Sequence, residues 1–178
     1  MALLRARIPY LPLHAADIER LPLDVLILPD LAAVTAEQMA AVRRFVSRGG
    51  RVIASGMAGM LDAEGQPRAD GGLADLWGVR LDGRRYGTEG DASSWENSSG
   101  HTYLRLAEPW PETAVLPFGG TLLGAEALAG SAVYARFIPP FPIYPPEISW
   151  MRQADSGLPA IVTRKHAGGG RTVYFAAD

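Results

Sequence analysis

Serine, histidine, carboxylate and glycine clusters are where this sequence could carry chemistry. Ser55 opens the stretch Ser55-Gly56-Met57-Ala58-Gly59, directly after an apolar run, a context in which a serine could serve as a nucleophile. It precedes the turn instead of standing at its apex, and no histidine lies near it in the pattern. A structural turn is therefore the expected role. His14, His101 and His166 are far apart, with no H-x-x-x-H or H-E-x-x-H spacing. The chain has no cysteine, which removes disulfides, thiolate metal sites, iron–sulfur ligation and thiol nucleophiles together. No metal or cofactor is expected. Gly168-Gly169-Gly170 could cradle a phosphate, but no helix follows whose N-terminus would meet an anion, so a hairpin turn is expected. Glycoside hydrolysis needs two carboxylates facing each other. Glu89, Asp91, Glu96 and Glu147 lie in loop-like sequence, and nothing in their spacing pairs two of them. Phe141, Tyr144 and Trp150 are interleaved with prolines around Glu147. Aromatics on a stiff extended segment suit a subunit interface, stacking on a sugar, or a lid over the domain's own core; all three stay open.

The bulk properties narrow the classes. Seventeen basic against 19 acidic residues leave a formal charge of −2 across 178 residues. That balance argues against nucleic acid or an anionic membrane as the main partner, since both demand clustered positive charge. No apolar run approaches the roughly 20 residues of a membrane span, and the N-terminus lacks a signal-peptide core. A soluble, cytoplasmic α/β protein is expected.

The elements that must position these residues read most clearly between Asp24 and Gly59. Val25-Leu26-Ile27-Leu28 is an unbroken apolar run ending at Pro29-Asp30, as in a buried parallel strand. Thr35 and Gln38 form a capping box, and Val34 and Met39 are spaced as a hydrophobic staple. Met39, Val42, Phe45 and Val46 recur at helical spacing before Gly49-Gly50 stops the helix. A second strand follows at residues 51–55. The unit is βαβ, with parallel strands and a right-handed crossover. Residues 8–13 form a weak strand candidate carrying Pro9 and Pro12, and residues 15–21 suit one or two helical turns. A short helix is expected at residues 73–77, closed by Gly78, then an irregular insertion around residues 83–100. Residues 132–138 read as a strand. Five prolines in residues 139–146 then force an extended course in a Pro-rich loop over 139–150. Residues 160–164 and 171–175 read as a hairpin around His166–Gly170.

This order of strand, proline-containing turn, capped helix, strand and tight S-G-M-A-G turn resembles the class I glutamine amidotransferase-like fold. More narrowly, DVLILPDLAAVTAEQMAAVRRFVSRGGRVIASG and GGGRTVYFAAD resemble the domain called the trimerisation domain in family 42 β-galactosidases and related glycoside hydrolases. DAEGQPRADGGLADLWGVR and PPFPIYPPEISW also resemble segments of such chains. The resemblance implies a flavodoxin-like three-layer sandwich, a mainly parallel sheet with helices on both faces, ending here in a C-terminal β-hairpin. It implies a single accessory domain over residues 1–178.

Amidotransferase relatives use a Cys–His–Glu triad. Their G-x-C-x-G elbow falls here on residues 55–59, with Met57 at the nucleophile, and a thioether cannot become a thiolate. Their F-H-P-E pattern falls on residues 175–178, leaving Ala176 for the base and Asp178 for the orienting acid. The triad is degenerate.

The leading expectation is therefore a non-catalytic accessory or oligomerisation domain of a glycoside-hydrolase-type protein, either a piece of one or a solitary relative. Its partners would be a catalytic barrel domain or identical subunits, with carbohydrate as a further candidate. At 178 residues the chain is too short to hold a (β/α)₈ barrel as well. One alternative is a stand-alone hydrolase acting on carbohydrate, built from residues 83–100 and the Pro-rich segment, with Glu96 and Glu147 first to test. Another is a small-ligand binding module using the crevice at the carboxyl ends of the strands, near Asp30 and residues 55–59.

Overall fold

The Thr35 capping box forms as spaced: Thr35 Oγ1 accepts from the Gln38 amide at 3.2 Å, and Gln38 Oε1 accepts from the Thr35 amide at 2.8 Å. This starts α2 (Ala36–Ser47), the longest helix among the described residues, which lies between β1 (Val25–Leu28) and β2 (Arg51–Ser55) in the chain. A four-residue helix, α1 (Ala2–Arg5), precedes them. The structure, a computed structural model, describes residues 2–68, 71–87, 101–110, 113–141 and 146–177. After β2 come α3 (Ala74–Trp77), β3 (Val79–Tyr86), β4 (His101–Trp110), β5 (Thr113–Phe118) and β6 (Leu122–Ala127). β7 (Ser131–Phe141), β8 (Pro159–Lys165) and β9 (Arg171–Phe175) complete the order.

Seven strands form one sheet in the order β1-β2-β9-β8-β7-β4-β5, while β3 and β6 form a separate antiparallel ribbon. β1 pairs parallel with β2, Leu26 opposite Val52, and β2 pairs parallel with β9, Val52 opposite Thr172. The α/β class, the parallel βαβ unit and the β8–β9 hairpin stand as expected. Parallel pairing is confined to that block, however. From β9 to β5 every neighbour is antiparallel, because the chain between β2 and β9 makes strand-to-strand connections instead of helical crossovers.

The core explains the block. Leu26, Leu28, Val52, Ala54 and Tyr174 alternate onto one face, where they meet Val42, Phe45 and Val46 of α2 in a single buried cluster. Burying each large apolar side chain contributes about 1.5–3 kcal/mol. α3 lies on this face too: Arg43 of α2 pairs with Asp75 at 2.6 Å, and the Thr172 hydroxyl donates to Leu76 O at 3.0 Å. Gly170 lets the hairpin turn pass tightly beneath the end of α2, because a Cβ there would collide with Val46 O.

The opposite face of the block is only partly covered. Val25, Ile27 and Phe175 are exposed at 43%, 40% and 37%, with Ile53 and Val173 half-buried between them. Of the three layers expected, the helical layer on this side is not among the described residues. Residues 8–13, the weak strand candidate, join no strand, and Ile8, Tyr10 and Leu11 are exposed. Pro9 and Pro12 lack the amides that pairing would use.

Two further boundaries move. β7 continues past the expected end at residue 138, through Pro139 and Pro140 to Phe141. The prolines fit because β7 has already parted from β8 at Arg136, and a register shift in its pairing with β4 falls beside them. The insertion expected around residues 83–100 begins as strand, since β3 runs to Tyr86; residues 88–100 lie outside the described residues. Residues 15–17 form a single 3-10 turn.

Candidate functional site

The turn after β2 is where related folds place a nucleophile, and here it is tied shut. Asp30, at the end of β1, adopts φ +46, a left-handed conformation that aspartate tolerates better than most residues. Its Oδ1 accepts from the Met57 amide at 2.8 Å, and its own amide donates to Ser55 Oγ at 3.1 Å. The Tyr174 hydroxyl, fully buried, donates to Gly56 O at 2.6 Å, and Trp77 Nε1 donates to Ala58 O at 2.8 Å. The Gly56 amide donates to Phe175 O, the Ala58 amide to Ser55 O and the Gly59 amide to Leu31 O. Burial, reinforced by the Asp30 charge, pushes the Tyr174 hydroxyl above its ordinary range and keeps it a neutral donor.

These bonds decide the chemistry. An acyl-transfer elbow needs an apical nucleophile and unoccupied amides aimed at the developing oxyanion. Here the apex is Met57, and the amides of residues 56, 57, 58 and 59 are all spent within the fold. Ser55 accepts from the Asp30 backbone. Ala176 is fully buried, its amide bonded to Ala160 O at 2.9 Å and its carbonyl to the Leu123 amide at 2.7 Å, so β6 closes over this position. Asp178 lies outside the described residues. Asp30, Trp77 and Tyr174 went unrecognised as parts of this knot from sequence; only the Pro29-Asp30 stop after β1 hinted at one of them.

His166 is also structural. Its Nε2 lies 3.1 Å from Thr172 Oγ1, whose proton goes to Leu76 O, so Nε2 is the donor. Burial, then the nearby Arg164 charge, lowers its pKa from the ordinary 6.5, against weaker upward pulls from Asp75 and the Leu76 backbone. No group of three or more histidine, aspartate or glutamate side chains able to hold a metal occurs among the described residues. No helix among them is long and apolar enough to cross a membrane.

Met57 lines a cleft of about 660 Å³ together with Met60, residues of the 67–75 segment and the β3–β6 ribbon. Of the residues where a crevice at the carboxyl ends of the parallel strands is expected, Asp30 and 55–59, only Met57 lines this cleft; the Asp30 side chain is occupied.

Of the Pro-rich aromatics, the two among the described residues, Phe141 and Trp150, differ in burial. Phe141 ends β7, is buried and stacks on Tyr103 with ring centroids 5.8 Å apart. Trp150 is half exposed, with the Arg152 guanidinium 4.0 Å above its ring. Glu147 is exposed in a 3-10 turn, Pro146–Ile148. Tyr144 lies outside the described residues, as do Glu89, Asp91 and Glu96, so the carboxylate pairing of the hydrolase alternative falls there as well.

Fold and elbow together define a flavodoxin-like α/β protein with Met57 at the apex of the turn after β2. No family model matches the chain, and no curated protein matches its sequence. Solved structures do share the fold. A β-galactosidase from Bacillus circulans sp. alkalophilus matches 86% of this chain over 20% of its own, at 18% identity and a TM-score of 0.63. One from the Antarctic haloarchaeon Halorubrum lacusprofundi matches 86% over 19%, at 20% identity and a TM-score of 0.60. A cytoplasmic protein from Salmonella typhimurium matches 95% of this chain over 65% of its own, at 16% identity and a TM-score of 0.58. The chain thus has the fold of a segment making up about 20% of those β-galactosidases.

Proposed function

We propose that residues 1–178 form one non-catalytic accessory domain of a glycoside-hydrolase-type protein, which docks on a catalytic barrel. The observation that carries this reading is the pairing of a closed elbow with an open sheet face. Faces of parallel strands are normally covered by helices, so the exposed side of β1, β2 and β9 is a surface that needs a partner. Its chemistry is specific. Val25, Ile27, Ile53, Val173 and Phe175 supply an apolar centre, and the register places Arg51, Arg171 and Lys165 in one row along its edge. All three cations are exposed and have no ion-pair partner among the described residues. The occupant that fits is an amphipathic outer helix of the barrel, with acidic side chains or its carboxyl end over the cation row.

Glycoside hydrolysis then belongs to the barrel, and the domain contributes position. The fold shared with part of the β-galactosidases supports this partner, and the cytoplasm is the expected setting. Self-association is the competing outcome: a second copy would bring two cation rows to one interface. The test is light scattering of this chain alone and with a β-galactosidase barrel lacking its own copy of the fold. A one-to-one complex lost on Ile27→Glu supports the proposal; a stable homo-oligomer lost on the same change replaces the barrel with a second copy. The chain alone should not turn over aryl-glycosides, and saturable turnover would refute the non-catalytic reading.

A further inference from the structure

The cleft beside Met57 is a second surface whose chemistry the docking role does not use. Its apolar floor comes from Met57, Met60, Val79, Leu81, Leu123 and Leu128. Its volume of about 660 Å³ is within the usual range for small-molecule sites. Four arginines are among its lining residues: Arg68, Arg80, Arg84 and Arg85. Arg80 is neutralised by Glu126, and Arg84 meets the Tyr86 hydroxyl and the Asp82 charge. Arg68 and Arg85 have no carboxylate partner among the described residues. Arg68 is half-buried and held in place: Nε donates to Leu61 O at 3.2 Å and Nη2 to Val34 O at 2.6 Å. Those carbonyls fix the fork without cancelling its charge, and Nη1 has no hydrogen bond to a described residue.

Among the described residues, the two carboxylates nearest the cleft, Asp75 and Asp82, each have a cationic neighbour, Arg43 and Arg84. Asp75 is taken up by Arg43, and Asp82 packs over Gly124 while accepting from the Arg84 amide at 2.8 Å. The balance of an apolar floor and uncompensated arginines selects a ligand with an apolar body and one anionic end. A neutral polyol would leave the guanidinium groups unpaired, and a bare inorganic anion would leave the floor wet.

We infer that this cleft binds an organic carboxylate, its apolar body on the Met57–Met60–Leu123 floor and its carboxylate toward Arg68 and Arg85. The methionine at the elbow apex is then a polarisable contact that moulds to the ligand, in the place where a nucleophile would otherwise stand. The site is independent of the docking face, which lies on the other side of the parallel block.

The test uses the intact chain with hexanoate, octanoate and 4-phenylbutyrate, each against its neutral amide, and with inorganic phosphate. Dissociation constants come from calorimetry, and melting shifts are read in parallel. At about a hundred times its dissociation constant, the best carboxylate should raise the melting temperature by roughly 5–10 °C. Its amide and inorganic phosphate should each bind at least about tenfold weaker, the loss expected for one charge-assisted contact. Arg85→Gln, at an exposed position, should weaken the carboxylate by about the same factor while leaving the unliganded melting temperature unchanged. Arg68→Lys keeps the charge but loses the fork and should weaken binding less. Three results would each overturn the inference: no saturable binding by any of the three carboxylates, equal binding of acid and amide, or an Arg85→Gln variant that binds as the wild type does.

Discussion

Asp30 holds the elbow shut, and a series at this position separates its two contributions. Asp30→Ala removes the Oδ1 acceptor that the Met57 amide uses at 2.8 Å, a bond worth about 1 kcal/mol net at an exposed site. It also leaves a β-carbon residue at φ +46 without the local hydrogen bonding that makes this region tolerable, costing about 1 kcal/mol more. The sum is about 2 kcal/mol. At about 2–4 °C per kcal/mol for a chain of this size, the melting temperature should fall by about 4–8 °C. Asp30→Gly loses the acceptor but accepts the backbone angle, so its cost should be nearer 1 kcal/mol. Asp30→Asn keeps an acceptor and the same backbone tolerance, and should cost under about 0.5 kcal/mol. Thermal unfolding followed by circular dichroism reads all three. The required order of damage is alanine, then glycine, then asparagine. If glycine is as damaging as alanine, the backbone argument is wrong; if all three are neutral, the elbow is not held by this side chain.

Other consequences follow from single residues. Val42→Asp puts a charge into the 5%-exposed contact between α2 and the sheet and should cost several kcal/mol in urea unfolding; an unchanged midpoint would mean that face of α2 is not buried. Ile27→Glu, on the open face, should change the stability of the isolated chain by no more than about 0.5 kcal/mol while abolishing docking, which unfolding and light scattering distinguish. For His166 the folded pKa lies below the ordinary 6.5, so the unfolded chain takes up its proton first as pH falls. Stability present above pH 6.5 should decline as pH drops from there toward the folded value and then level off. His166→Gln should flatten that segment of the stability profile; an identical profile would remove His166 as its source.

The parts of this fold that could be read from sequence are those set by short-range chemistry. Thr35 and Gln38 sit three apart, so the start of α2 was legible, and Gly49, at φ +101, marked its end. The apolar runs of β1 and β2 were legible because parallel strands are buried without much alternation. β3 was not, since Gly83, Arg84 and Arg85 interrupt its pattern where the pairing with β6 shifts register. The end of β7 was misjudged because proline usually stops a strand, and only its neighbours show that Pro139 and Pro140 need no second partner. At the site, Met57 could be picked out from sequence only through the resemblance to the amidotransferase elbow. The knot around it was hidden, because Tyr174 reaches Gly56 across 118 residues and no local pattern encodes such a contact. The exposed face was hidden for a related reason. A strand of Val25, Leu26, Ile27 and Leu28 reads as buried on both sides, whereas this structure covers only Leu26 and Leu28.

The central claim is that a closed elbow and an open, cation-edged sheet face make this an accessory docking domain. Its most direct test is co-expression with the glycoside-hydrolase barrel encoded in the same or the adjoining reading frame, then size-exclusion chromatography with light scattering and an aryl-galactoside assay on every fraction. The account predicts a complex that forms with the wild type, is lost with Ile27→Glu, and shows turnover only in fractions containing the barrel. The absence of any such barrel, a wild-type chain that stays free of it, a complex indifferent to Ile27→Glu, or turnover by this chain alone would contradict it.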